Sequence, residues 1–423
     1  MNFKELLQRY KEGTATKEEK VIVETELEKY ESIEGYFSEQ LHDDLFMKDQ
    51  AADDTALEEV EETLSIKRLV NRKLAKVIML SVLIVILLYV GIFYGLSNVV
   101  DSLYYDPTSV TTYEDQEHTV SDFSFDMKAY VSLNMPGYAL SSFTTEESQG
   151  FGVYETSYLL RNLYTNDLQR HFVDIHRGAR RNFDDGIFSH ANRFEIWDGF
   201  RNIHSPVTGG EEGMSEEHQQ GEIERKNDIT LDYLGEVNPL SYVSITIVFD
   251  EDLTMEEFYE MSREFQMLNF NWVGVRTIEP GTSWSENQPN HLIGFNPNVN
   301  DEPAGNMRPN PEEYPLFNLV DLYQYAPTVS SESFFPEAFE THFESRLTYL
   351  RDREEFVELF DYNPYKTDFY THSLDYIEEN GINTYGVLVY GTAEDFQEQI
   401  DNLPFESLYI NDVASAKPNI YFD

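Results

Sequence analysis

Residues 72–101 read RKLAKVIMLSVLIVILLYVGIFYGLSNVVD. Between Lys76 and Asp101 lie 24 residues without a charge, in a chain whose formal net charge is -48. About 20 mostly apolar residues suffice to cross a hydrocarbon core about 30 Å thick, and a helix satisfies its backbone polar groups internally, as lipid demands. Val77–Val100 is therefore predicted to be a transmembrane helix. The alternative, a buried core helix, seldom runs this long without a charge. A cleaved signal peptide is not expected here, because such peptides occupy roughly the first 15–30 residues. The flanks set the orientation. Lys67, Arg68, Arg72, Lys73 and Lys76 precede the run, whereas Asp101, Asp106, Glu114, Asp115 and Glu117 follow it. Basic flanks stay in the cytoplasm. The expected topology is a cytoplasmic N-terminus and an extracellular C-terminal domain, with the protein in the cell membrane.

The run divides the chain into unequal parts. Residues 1–49 form a small helical cytoplasmic module and residues 50–76 an acidic, then basic, linker. Residues 77–100 span the membrane, residues 101–122 form an acidic stalk, and residues 123–423 form a large α+β or α/β domain. The part after the span carries 18 Lys and Arg against 59 Asp and Glu. That balance excludes nucleic acid as a partner and argues against close apposition to anionic headgroups. With 28 Tyr and 29 Phe in the chain, the large domain has the aromatics for a folded core. There is no cysteine, so disulfides, thiolate metal sites and cysteine nucleophiles are all excluded.

In the N-terminal module, Phe3, Leu6, Leu7 and Tyr10 fall at i, i+3, i+4, i+7, one apolar stripe on a short helix that Gly13 ends. Thr16-Lys17-Glu18-Glu19 reads as a capping box opening a second helix. Val23, Leu27 and Tyr30 continue the stripe. The apolar residues are too few for a robust independent core, which favours a module that completes its core on a partner.

The run LLQRYKEGTATKEEKVIVETELEKY, residues 6–30, resembles the opening of bacterial anti-sigma factors. In the zinc-containing members the second helix leads into His-x3-Cys-x2-Cys. That spacing falls here on Glu26, Tyr30 and Ile33, which cannot form a zinc site. The chain resembles instead the zinc-free, membrane-spanning anti-sigma factors of bacilli, the anti-sigma-M type, with N-terminal and C-terminal sigma factor regulator domains. The segments KAYVSLNMPGY, GFGVYETSY and INTYGVLVYGTAEDFQEQIDNLP are similar to the C-terminal domain of that family. The resemblance implies an extracytoplasmic-function sigma factor as partner, held at the membrane through Leu6, Leu7, Tyr10, Val23, Leu27 and Tyr30 and released on an envelope signal.

Elsewhere the sequence is read element by element. AYVSLNM, GVYETSYLL and RHFVDIH are expected strands, and residues 205–228 a polar loop. LSYVSITIVFD, LTMEEFYEMSREFQML and FNWVGVRTI form one strand–helix–strand unit; NTYGVLVYG, TAEDFQEQIDNL and ESLYINDV form a second. Right-handed crossovers would make each pair of strands parallel. A helix pair is expected over about 331–360. No HExxH, GxSxG, Walker or GxGxxG pattern stands in a suitable context, so no enzyme activity, metal or cofactor is expected. Asn296-x-Asn298-x-Asn300 has the first half of a calcium-loop spacing, but Asp301 stands where that loop needs glycine. His171 and His176 read as structural residues on opposite sides of a strand. Arg177, Arg180 and Arg181 form a rare basic cluster, internally paired or gripping an anion. Within the span, Gly91-x-x-x-Gly95 allows close helix approach, to a small membrane protein or to a second copy. The competing functional readings are a membrane-anchored extracellular cell-wall hydrolase and a non-enzymatic surface binding protein.

Overall fold

Two helical stretches open the computed structural model, at 8–11 and 19–27. The structure describes residues 8–11, 13, 15–17, 19–27, 29, 54–110, 120–181, 216–279, 292–298, 308–322, 334–361 and 364–418, with backbone alone at 54–69, 142–143 and 216–220. The chain divides into two compact units, Met1–Tyr89 and Val90–Asp423.

In the N-terminal unit, Gly13 turns the chain at φ 76°. The Thr16 amide then donates to Glu19 Oε2 at 2.9 Å and the Glu19 amide to Thr16 Oγ1 at 3.3 Å, a reciprocal cap. The bond from the Thr16 amide, the largest influence, holds the Glu19 carboxyl below its ordinary pKa. Two contacts join the stretches: the Tyr10 hydroxyl donates to Glu24 Oε1 at 3.1 Å, and Arg9 Nη1 lies 3.3 Å from Glu19 Oε1. Val23 is fully buried. Helix α1, Asp54–Val90, follows. The segment 50–76, which the sequence leaves open as a linker or a loosely held helix, is helical from Asp54. Between Val70 and Asp101 the helical backbone is unbroken; residues 70–96 are exposed, whereas Ser97 is buried. Its residues 91–96, Gly91–Leu96, are π-helical, and α2, Ser97–Asp101, completes it.

The C-terminal body contains two sheets, both antiparallel between neighbours. Helix α3, Asp122–Asn134, leads into a four-stranded meander of β1 Tyr138–Gly150, β2 Val153–Asn162, β3 Leu168–His176 and β4 Ala179–Arg181. On β3, His171, Val173 and Ile175 face inward while Arg170, Phe172 and Asp174 face outward, the alternation of a sheet covered on one side. After α4, Glu216–Glu236, come β5 Tyr242–Thr254, α5 Met255–Glu264, β6 Asn269–Val275 and β7 Gly294–Phe295. Helices α6 Phe335–Arg351, α7 Glu354–Phe360 and α8 Lys366–Asn380 precede β8 Asn383–Thr392, α9 Ala393–Gln399 and β9 Ser407–Ala414.

The second sheet has the order β7-β6-β8-β5-β9. β5 and β6 both run antiparallel to β8, so they are parallel to each other with β8 between them. β8 and β9 likewise enclose β5. This interleaving is the split β-α-β arrangement. Both intervening helices open with a threonine capping box, Thr254 with Glu257 and Thr392 with Asp395. β8 is buried on both faces, which is why NTYGVLVYG reads as a continuous apolar run. Tyr164, from the β2–β3 turn, ties the sheets together. It stacks on Tyr242 at 5.4 Å, donates to the Tyr242 carbonyl at 2.6 Å and accepts from the Ala414 amide at 2.8 Å.

Several expectations need correction. AYVSLNM is helical, part of α3. That helix buries Phe123, Phe125, Met127, Tyr130, Val131 and Leu133, so apolar residues occur on all its sides and the helical period is hidden. The expected loop 205–228 is helical from Glu216, with Glu222 and Arg225 paired one turn apart and Asn227 bonded to the Glu406 carbonyl at 2.7 Å. The helix pair over 331–360 is followed by a third helix, α8. Over its described part the expected stalk is packed: Tyr105 is buried, and the Asp122 amide donates to the Ser109 carbonyl at 2.8 Å.

The β6–β7 contact generates a test. A Cβ on Gly294 would run into the Val273 carbonyl oxygen and lie 2.6 Å from the Trp272 ring. Gly294→Ala is expected to destabilise the body by about 1–3 kcal/mol or more, because backbone must move. Thermal unfolding of the purified chain measures this; an unchanged midpoint would contradict the packing.

Candidate functional site

The apolar helix does not end in a loose tether. Ser97 Oγ donates to Asp101 Oδ2 one turn on, at 3.1 Å. The β1–β2 hairpin tip, Gly150-Phe151-Gly152, clasps the same turn. The Phe151 amide donates to Ser97 Oγ at 2.8 Å, and the Gly152 amide to Asp101 Oδ1 at 2.5 Å. Gly150, Phe151 and Gly152 all have positive φ, at 81°, 56° and 72°. Glycine accepts such backbone freely, whereas a bulky aromatic there is strained. The Phe151 ring meets Phe93 of the apolar helix edge-on at 6.1 Å. The β3–β4 turn backs the tip: the Arg177 amide donates to the Gly152 carbonyl at 2.6 Å and Arg177 Nε to the Phe151 carbonyl at 3.3 Å. The Tyr104 ring fills the space over Gly152 and Gly178.

Beyond this clasp the chain enters a buried polar hub. The Asp126 carboxylate, with no exposure, accepts four hydrogen bonds. They come from Tyr105 at 2.6 Å, Tyr349 at 2.8 Å, and Arg353 through Nε at 2.6 Å and Nη2 at 2.8 Å. Burial pushes the Asp126 carboxyl up, while the guanidinium and the two phenols pull it down. Burial, followed for both by the Asp126 charge, pushes the Tyr105 and Tyr349 phenols up, so they remain protonated donors. The buried Tyr154 phenol, facing Asp106 and Asp101, is also pushed up, chiefly by burial. The hub joins the segment after the membrane helix to α3, α6 and the start of α7. The clasp joins the helix end to the body by backbone amides bonded to side chains, and the hub by side chains bonded to one carboxylate.

The residues singled out in the sequence lie apart from this junction. Leu6, Leu7 and Tyr30 lie outside the described residues. Tyr10 is half-buried, Val23 buried and Leu27 41% exposed. Val21 and Ile22, off the stripe and missed in the sequence, are exposed beside Val23. Lys67 and Arg68 lie on α1, and Arg72, Lys73 and Lys76 are exposed along it. Gly91 and Gly95 fall in the π-helical segment, and a Cβ on either would meet nothing within 4 Å. His171 is buried against Tyr158, ring centroids 5.3 Å apart, and His176 is half-buried. Asn296 makes a local turn by accepting from the Asn298 amide at 2.8 Å; Asn300 and Asp301 lie outside the described residues. No sequence motif announced Ser97, Asp101, Asp126 or Arg353. The only hint was a Phe between two glycines at a hairpin tip.

A helix long and apolar enough to cross a membrane, packed at its C-terminal end into a folded body through such a junction, is compatible with a single-pass membrane protein with a structured C-terminal domain. Residues 234–409 of that domain match the family model described as sigma factor regulator C-terminal. The matched stretch runs from the last turn of α4 into β9 and so contains the whole split β-α-β sheet up to Tyr409. The four-stranded meander that holds the helix lies outside it. No curated protein and no solved structure shows a significant match to the chain. The family match supports an anti-sigma factor role, and with it a sigma factor as partner.

Two measurements test the junction. Arg353→Met leaves the Asp126 charge buried without its cation and is expected to cost about 3–5 kcal/mol in denaturant unfolding. Combining it with Asp126→Asn should cost less than the two single substitutions together, because the residues share one network. Asp101→Ala removes a charge-assisted bond worth about 1.5–3 kcal/mol, so the Gly152 amide should exchange with deuterium about tenfold faster or more.

Proposed function

We propose that the chain is a single-pass transmembrane anti-sigma factor that holds an extracytoplasmic-function sigma factor at the membrane and releases it on an envelope signal. The observation that carries this reading is the sigma factor regulator match at 234–409, placed after a single helix of membrane-spanning length and a helical N-terminal module. The basic residues before the span support a cytoplasmic place for that module and an outer one for the C-terminal body. The sigma factor contacts Leu6, Leu7, Tyr10, Leu27 and Tyr30. Val21 and Ile22 widen this face, and Val23 supports it from within. Burying such a face stabilises a complex by roughly 25 cal/mol per Å², less the cost of ordering both partners.

In this proposal the body changes state on the outside, and the clasp at Ser97 and Asp101 passes the change into the helix. A signal moves the equilibrium only as far as it binds or strains one state more than the other. Gly91 and Gly95 offer the span a close approach to a small membrane protein or a second copy. The reading requires no cofactor and no catalysis.

The test uses the full chain in its own membrane. The sigma factor should co-purify with the wild-type protein, and Leu27→Asp should reduce its recovery at least about tenfold, since a buried carboxylate costs well over 1.4 kcal/mol. A Met267→Cys variant of the cysteine-free chain should react with an impermeant maleimide from outside intact cells. Unchanged recovery with Leu27→Asp, or labelling only after lysis, refutes the proposal.

A further inference from the structure

The clasp lies deeper along the helix than a water-exposed hairpin should. The uncharged stretch Val77–Val100 has 24 residues and, at 1.5 Å each, exceeds a hydrocarbon core of about 30 Å by only about 6 Å. Phe93 precedes the first charge, Asp101, by about 12 Å along the axis, which places it in the last turns of helix still surrounded by acyl chains. Phe151 packs on Phe93, and its amide bonds to Ser97. The hairpin tip therefore reaches the level of the lipid. A tip in water would carry Gly, Asn or Asp at its left-handed positions. This one holds a half-buried Phe at φ 56°. Around it, Tyr94, Leu103 and Tyr104 are 66%, 68% and 37% exposed, an apolar and aromatic girdle of the kind that sits at membrane interfaces.

The charge pattern agrees. In a body with 18 basic against 59 acidic residues, the Arg177, Arg180 and Arg181 cluster lies beside this tip. Arg180 turns inward, donating to the Phe360 carbonyl at 3.2 Å, and Arg181 sits across from Asp174 in the β3–β4 register. Arg177 is exposed and directly behind Phe151. We propose that the β1–β2 tip and the β3–β4 turn form a membrane-seated foot, with Phe151 entering the boundary of the hydrocarbon and Arg177 pairing with a phospholipid phosphate. A guanidinium fits a phosphate through paired donors, and its stem is apolar enough to lie along the interface. The acidity of the rest of the body repels anionic headgroups, so this foot fixes the one place where body and membrane touch.

The inference rests on the helix spanning the membrane, and the absence of cysteine makes it directly measurable. Nitroxide labels are placed on the full chain in phospholipid vesicles, one at a time, by Phe151→Cys and by Ala179→Cys, which leaves the tip intact. Met267→Cys, 66% exposed, is the aqueous reference, and Leu87→Cys, within the apolar run, is the hydrocarbon reference. The position 151 label should show oxygen access above nickel-chelate access and a depth between the two references. The 179 label should lose nickel-chelate access relative to 267. Arg177→Glu in the Phe151→Cys background should shift the label toward the aqueous reading. Labels at 151 and 179 that match 267 overturn the foot while leaving an anti-sigma role intact; no effect of Arg177→Glu overturns the phosphate contact. A water-accessible label at 87 overturns the span, and the foot with it.

Discussion

One carboxylate organises the C-terminal body. Asp126 lies where no water reaches it, yet four donors from three residues converge on its two oxygens. A buried ion is tolerated only when its partners are this complete. The residues that complete it come from distant parts of the chain: Tyr105 just after the membrane helix, Tyr349 at the end of α6, and Arg353 before α7. Because none of these donors can leave without stranding the charge, the arrangement is close to all-or-none. It specifies how the segment after the apolar helix enters the fold.

Around the hub, aromatic rings supply the bulk of the packing. Phe123 meets Tyr158, Phe356 and Phe360, while Phe356 and Phe360 stack on each other at 4.7 Å. Without disulfides, the body depends on this core and on the few buried polar links, such as Tyr164 between the two sheets. The division of labour follows the topology. The split β-α-β sheet, which carries the family match, is buried on both faces at its centre. The four-stranded meander has one face free and contributes the turns that grip the helix. Regulation of the kind proposed needs both: a body able to adopt a second state, and a junction stiff enough to report it.

The legible parts of the sequence were those where a local pattern answers directly to a physical demand. The helix over 77–100 was visible because 24 successive residues carry no charge. The Thr16–Glu19 cap was visible because its two bonds are made within four residues. β5 and β8 were visible as β-branched, apolar runs. Helix α3 was misread because burial on all sides removes the polar face that marks a helical period. Helix α4 was misread because a polar, solvated helix and a polar loop share a composition; its docking relies on Asn227 and Gln397, which meet partners far away in sequence.

By itself, then, the sequence determined the long apolar helix, the acidity of the part that follows it, the absence of disulfide and thiolate chemistry and the kinds of most strands. Each of these follows from composition or from contacts within a few residues. Only the tertiary structure decided that Asp126 would meet Arg353, that Phe151 would reach Phe93, and that the strands of the two crossover units would interleave. Those pairings join residues tens to hundreds of positions apart. Their free energy arises from mutual burial and directional bonding in three dimensions, for which no short stretch of sequence carries a mark.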